Sequence, residues 1–227
     1  MIRKYNYVLL LGGLLVMLIG GSLGTEHPRA STRLVVDLSV AAVLFLGVWS
    51  LVNSRAAFIA GLALTAVAVI LTIATYATHL EVLHYLALFT VLIFFFLTCL
   101  VAAYDVLLGG RITINRLIGA ACIYLLSGAL WGIVYFLLSV VSPQSFEGIV
   151  GGTRSEQLNE FTYYSFVTLT TLGYGDVAPM LPVARTLSYI EAVLGQLYLT
   201  VLVAALVGIH IADRSNLAWR ERSAGSA

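Results

Sequence analysis

The chain reads as an all-α integral membrane protein, with six transmembrane helices and a short re-entrant helix and loop between the fifth and sixth. Three observations predict this. Of the 227 residues, 60% are hydrophobic and only 10% charged, far more apolar surface than a water-soluble domain needs. Six apolar runs, at 7–23, 34–52, 56–78, 82–104, 117–141 and 186–211, have about the 20 residues that a helix uses to cross a bilayer. The segment 142–185 between the last two runs is too long for a tight turn and too polar at its start for a span.

The first run follows Arg3 and Lys4 and ends in small residues, as a signal peptide would. No convincing A-x-A cleavage site precedes Thr25, so the run counts as a span. Span two carries Asp37 near its outer end, with no buried cationic partner in view. Span four, "VLHYLALFTVLIFFFLTCLVAAY", holds no Arg or Lys, and His84 within it and His79 just before it read as interfacial. A voltage sensor needs regularly spaced arginines there, because moving one charge through 100 mV is worth about 2.3 kcal/mol. The first four spans, residues 1–104, are therefore expected to form a structural collar. Cys99 and Cys122 sit inside apolar runs and read as small buried side chains, not a disulfide or metal pair.

Residues 105–116 form the expected cytoplasmic linker to a second unit, 117–211. Its first span holds Gly128-x-x-x-Gly132, a spacing that lets a neighbouring helix approach closely. The tail 212–227, "ADRSNLAWRERSAGSA", is too short for a regulatory domain, and Trp219, Arg220 and Arg222 read as an interfacial anchor. With both termini cytoplasmic, Arg3, Lys4, Arg55, Arg111, Arg116, Arg214, Arg220 and Arg222 lie inside, against Arg29, Arg33, Arg154 and Arg185 outside. That asymmetry favours this orientation in a cell inner (plasma) membrane and turns the segment 142–185 outward. A net charge of +1 argues against a nucleic-acid partner.

Within that segment, "SPQSFEGIVGGTRSEQLNE" reads as a loop and "FTYYSFVTLTT" as a helix of about three turns, too short to cross. It can dip in and return if protein or water receives its free backbone groups. The chain must then climb back through "TLGYG" without being helical. Gly173 and Gly175 permit left-handed backbone angles that cost other residues dearly. A strand of alternating hand can turn its carbonyls to one side, and a column of carbonyls replaces the water shell of a cation. The dipole of the short helix adds negative potential at the membrane centre.

Thr168-x-x-Thr171-x-Gly173-Tyr174-Gly175-Asp176 resembles the selectivity-filter signature of the potassium channels. The resemblance implies that the carbonyls of Thr171, Leu172, Gly173 and Tyr174, with Gly175 and the Thr171 hydroxyl, surround K+ as the permeant ion, with no other cofactor. It further implies that Thr168, Asp176, Tyr163 and Tyr164 support the filter from behind. Leu172 stands where valine or isoleucine is more frequent, a mild departure because its carbonyl coordinates. Arg185, nine residues after Asp176, and Gly195, twenty after Gly175, fall where two-span bacterial channels have an arginine and a hinge glycine. Some of these channels pair a glutamate with the filter aspartate; here that position is Val167, so inactivation through such a pair is expected to be absent. The pore resemblance covers 117–211, and the whole chain is similar to bacterial proteins with four helices ahead of one such pore. One filter strand per chain implies a homotetramer with C4 symmetry around the pore.

The expected function is passive, voltage-insensitive, potassium-selective conduction. A non-selective cation pore would usually break "GYG" or the threonine, and neither is broken. A non-conducting subunit of the same fold stays open. An intramembrane serine hydrolase would need Ser127 beside a histidine at equal depth, and "LLSG" lacks the first glycine of G-x-S-G. Glu191, about 140° around its helix from Gln196, faces other helices if Gln196 lines the cavity. It reads either as a functional acid or as a packing lock hydrogen-bonded to a hydroxyl. His210 lies about 40° from Gln196 and about 21 Å further along the helix. Four such rings at the inner mouth would open it on acidification, with bending at Gly195, unless His210 only anchors the helix at the headgroups.

Overall fold

The computed structural model describes residues 6–26, 30–51, 54–78, 80–108, 114–149 and 152–224, with side chains described over 7–20, 40–51, 54–78, 80–106, 115–149, 152–205 and 208. These residues form helices α1 (Asn6–Glu26), α2 (Ala30–Ser50), α3 (Arg55–Thr78), α4 (Glu81–Leu108), α5 (Ile114–Val141), α6 (Arg154–Leu169) and α7 (Pro182–Ala224). Strand β1 (Phe146–Glu147) and strand β2 (Ala178–Pro179) complete the fold, which is all-helical apart from this one short ribbon.

Four helical stretches among the described residues are long and apolar enough to cross a membrane: Arg55–Thr78, Glu81–Val106, Asn115–Val141 and Pro182–Ala205. The expected first two spans appear as 21-residue helices whose described apolar stretches are shorter, Tyr7–Gly20 and Val40–Ser50. Much apolar surface points outward, with Ile59, Ile70 and Ile73 on α3 all more than 60% exposed. In water such a face drives association; against lipid tails it is already in a matching solvent.

Helix α5 is the central post. Helices α1, α4, α6 and α7 all pack against it. Leu10 and Leu14 of α1, Val43 and Val48 of α2, Phe94 and Phe95 of α4, and Ile123 and Leu126 of α5 share one core. Both cysteines are free thiols in this region, with Cys122 Sγ 3.3 Å from the Tyr7 carbonyl and Cys99 Sγ 3.9 Å from that of Ile123.

Four element boundaries differ from the sequence expectation. Helix α6 starts at Arg154, because Thr153 caps it through a reciprocal box: its hydroxyl faces the Glu156 N–H, and its own N–H donates to Glu156 Oε2 at 2.7 Å. The stretch 154–160, read as loop, is thus helical. Helices α4 and α5 extend into the 105–116 linker from both sides. Helix α7 continues through the supposed tail to Ala224, since no glycine or proline interrupts 209–224 and Ala, Arg, Leu and Glu make up half of it.

The α5–α6 contact needs two glycines. A Cβ at Gly132 would lie 2.8 Å from the Thr162 Cα, and one at Gly128 2.6 Å from the Phe166 ring. Gly132→Ala should therefore lower the protein's stability in detergent by about 1–3 kcal/mol, an overpacking cost. Gly12→Ala, where a Cβ meets nothing within 4 Å, should cause no loss. Thermal unfolding of the two variants beside the parent checks the contrast.

Candidate functional site

The site is built where α6 ends. Thr170 is its last cap, and the next two N–H groups turn back: Thr171 N–H donates to the Thr168 carbonyl at 2.9 Å and Leu172 N–H to that of Val167 at 2.9 Å. This pair of bonds is a Schellman closure, which needs a left-handed residue and usually takes glycine. Here Thr171 occupies that position at φ 58°. A β-branched residue at positive φ is strained by roughly 1–3 kcal/mol, so the hydroxyl at this point must be worth keeping. Gln196 Nε2 on α7 lies 3.3 Å from that hydroxyl.

Beyond Thr171 the left-handed angle recurs at every second residue, with Gly173 at φ 60° and Gly175 at φ 77°. A Cβ at either glycine would meet nothing within 4 Å, so backbone conformation and not space demands them. Among the described residues, no protein hydrogen bond reaches the carbonyls of Thr171, Leu172, Gly173 or Tyr174. The whole stretch 171–176 is exposed on the single chain, with Leu172 55% and Tyr174 67% exposed. It is an exposed ribbon whose carbonyls from Thr171 to Tyr174 accept nothing from the described residues.

The far end of the ribbon is held by Asp176. Tyr163 donates its phenol to Asp176 Oδ2 at 2.6 Å, and the Val177 N–H donates to Oδ1 at 3.0 Å. The phenol's hydrogen bond holds the Asp176 carboxyl below the usual carboxylate range, and the same bond pushes the Tyr163 hydroxyl up to about 12. From here the chain enters β2, which pairs antiparallel with β1 in the register Phe146 to Pro179 and Glu147 to Ala178. Gly148, at φ 90°, lets β1 pass the Asp176 carbonyl, which a Cβ would overlap. Arg185 Nε donates to the Pro179 carbonyl at 3.0 Å, clamping the return into α7.

Behind the ribbon stands an aromatic wall. The Phe146 ring lies edge-on to Phe161 at 5.0 Å and to Tyr164 at 5.5 Å, and Tyr135 to Tyr164 at 5.1 Å. Tyr164 is buried there and its hydroxyl meets Ser188 Oγ at 2.6 Å, whereas Tyr163 faces outward to Asp176. Tyr124 donates to the Leu169 carbonyl at 3.2 Å, capping an otherwise open helix end. Gly195 passes so close to the same carbonyl that a Cβ there would overlap it. Gly195 thus has a steric duty in addition to the hinge role expected of it, and α7 runs through it unbroken. Thr168 lies on the last turn of α6 and accepts the Thr171 N–H through its carbonyl.

Glu191 is fully buried, its Oε2 accepting from Tyr135 at 2.5 Å and its Oε1 meeting Ser165 Oγ at 2.5 Å. Sequence reading pointed to a hydroxyl partner without finding which. The partners lie 56 and 26 residues away, beyond the reach of local spacing. The Glu156 cap was also missed, although Thr-x-x-Glu before an apolar run was the available signal. His210 belongs to α7, but its side chain falls outside the described residues. Ser127 donates to the Ile123 carbonyl at 2.8 Å and lines a cavity of about 350 Å³ between α5 and α7, with no histidine among the lining residues.

Comparison with curated proteins and with solved structures gives no match. Residues 112–210, running through α5, α6 and the ribbon into α7, match the model of a family described as "Ion channel", a family of non-enzymes. This part of the chain is similar to ion-channel domains, and it lies within a multi-pass membrane protein.

Proposed function

We propose that the protein is a potassium-selective, voltage-insensitive channel that conducts K+ passively as a C4 homotetramer. The observation that carries the reading is the ribbon at 171–175: left-handed angles at alternate residues and carbonyls without protein partners, at the tip of a capped re-entrant helix. Backbone polar groups at membrane depth need partners. Cations shed of water, aligned by the carbonyls of Thr171, Leu172, Gly173 and Tyr174, are partners of the right charge. The single-chain exposure of Leu172 and Tyr174 supports three further copies around the same axis. Gln196, beside the Thr171 hydroxyl, lines the cavity below.

In this reading α1 and α2 cross the membrane with the four longer spans, both termini are cytoplasmic, and the segment with α6 faces outward in the plasma membrane. The first four helices form a passive collar. Tyr163 and Tyr164 take separate supporting roles, one at the outer aspartate and one in the aromatic wall. The hydrolase alternative finds no support, since Ser127 is satisfied by its own helix.

Purified protein in liposomes should carry K+ flux with reversal potentials that follow potassium and hardly respond to sodium. Gly173→Ala should abolish the flux without a packing cause, because nothing lies within 4 Å of the added methyl in the single chain. Equal sodium and potassium permeability would sink the assignment.

The outer acids should concentrate cations by their field, an effect that fades with salt. Glu156→Gln retains a capping-box side chain while removing its charge. Paired with Glu160→Gln, it should lower inward conductance at low salt and matter less at high salt. A salt-independent loss would mean that these residues only shape the entrance.

Helix α4 carries no Lys or Arg over its 28 residues. Open probability should therefore vary little between strongly negative and strongly positive potentials. A steep conductance–voltage curve, with several gating charges per tetramer, would show α1–α4 to be a sensor.

A further inference from the structure

We propose that Glu191 is the neutral carboxylic acid and acts as a positioning residue, its proton bolting the inner helix α7 to the pore helix α6 while its carbonyl takes a bond from the outer helix α5. The evidence is a hydrogen count. Ser165 Oγ owns one hydrogen, yet it stands 2.8 Å from the Gly128 carbonyl and 2.5 Å from Glu191 Oε1. The Gly128 carbonyl can only accept. Both contacts are hydrogen bonds only if Ser165 donates to Gly128 and the carboxyl donates to Ser165. Tyr135 then donates to the remaining oxygen, Oε2. Every hydrogen in the node has an acceptor, and each carboxyl oxygen makes a bond.

The surroundings agree with a neutral group. Glu191 is 0% exposed, and no cation faces it among the described residues. The titratable side chains around it are phenols: Tyr135 and Tyr124 on α5, and Tyr164 on α6, the last already bonded to Ser188 of α7. An unpaired charge at such a place is strongly disfavoured, whereas a hydrogen-bonded acid is not.

The node sits where it can fix the ribbon. Ser165 lies on α6 one turn before Thr168, whose carbonyl closes the helix, and Glu191 lies one turn before Gly195, which abuts the Leu169 carbonyl. Glu191 therefore holds α6 at Ser165 while Gln196, on the same helix, meets the Thr171 hydroxyl just beyond the end of α6. A displacement of α7 moves both, so the node links the inner helix to the filter. The effect on flux rests on the channel reading; the location of the proton does not.

Infrared spectroscopy of the reconstituted full-length protein at neutral pH tests the proton. A carbonyl-stretch band of a protonated carboxyl should be present, vanish in Glu191→Gln and shift in Ser165→Ala, which removes one bond from the acid. K+ flux supplies the second readout. The Gln amide can donate to Ser165 and accept from Tyr135, so Glu191→Gln should retain flux within about twofold. Glu191→Ala leaves the Tyr135 hydroxyl unpaired and takes from Ser165 the bond it accepts, and should lose about tenfold or more. A carboxylate band that disappears in Glu191→Gln would overturn the proposal, as would Glu191→Gln behaving like Glu191→Ala. If the protonated band is present but no variant or parent conducts, the proton assignment stands and the channel reading fails. If flux is intact and the band is missing, the reverse holds.

Discussion

A polypeptide that leaves its helix inside a membrane must have its backbone received by something other than lipid. In the channel reading proposed above, that constraint governs the residues from Thr170 to Pro179 and nearly everything packed around them. Helix α6 is 16 residues long, about 24 Å, and stops short of a crossing. Its end is closed by the Schellman bonds to Val167 and Thr168 and by the Tyr124 hydroxyl on Leu169. The strand beyond it is exposed, and its carbonyls from Thr171 to Tyr174 receive no hydrogen bond from the described residues.

The neighbours answer this demand by proximity. Gly132 lets α5 touch the α6 backbone at Thr162, Gly128 makes room for the Phe166 ring, and Gly195 lets α7 reach the Leu169 carbonyl. Behind them the rings of Tyr135, Phe146, Phe161 and Tyr164 fill space that flexible side chains would leave soft. The pairing of β1 with β2 and the Tyr163–Asp176 bond then pin the far end of the exposed strand. Strain at Thr171 persists because it is over-determined from three sides: the α6 closure, Gln196 and the strand beyond. Helices α1 and α4 contribute through their packing on α5, and α4 also directly, where Arg154 pairs with Glu81 and lies over the Tyr85 ring.

Much of this was legible in the sequence. The apolar runs announced α3, α4, α5 and α7, and the glycine spacing at 173 and 175 announced positive backbone angles. Gly128-x-x-x-Gly132 announced a close helix, though not that its partner would be the short α6. Other features could not be read locally. A two-residue strand has no periodicity to detect, so the pairing of Phe146 with Pro179 was invisible. Positive φ at Thr171 contradicts every propensity for a β-branched residue and arises only from the closure around it. The start of α6 at Arg154 was legible in principle, through Thr153 and Glu156, but glycines at 151 and 152 and the charged stretch after them resemble a loop. The polar composition after Ile211 likewise resembled a tail, while helix propensity carried α7 onward.

The central claim is that dehydrated cations sit in single file against the carbonyls of 171–174, on an axis shared by four chains. The most direct measurement is anomalous diffraction from crystals of the full-length protein grown with a heavy potassium surrogate such as rubidium or thallium. The account predicts a column of anomalous peaks on a crystallographic or local four-fold axis, beside Thr171, Leu172, Gly173 and Tyr174, and no such column when sodium replaces the surrogate. Density elsewhere only, or an assembly whose 171–175 strands do not meet on a common axis, would contradict it.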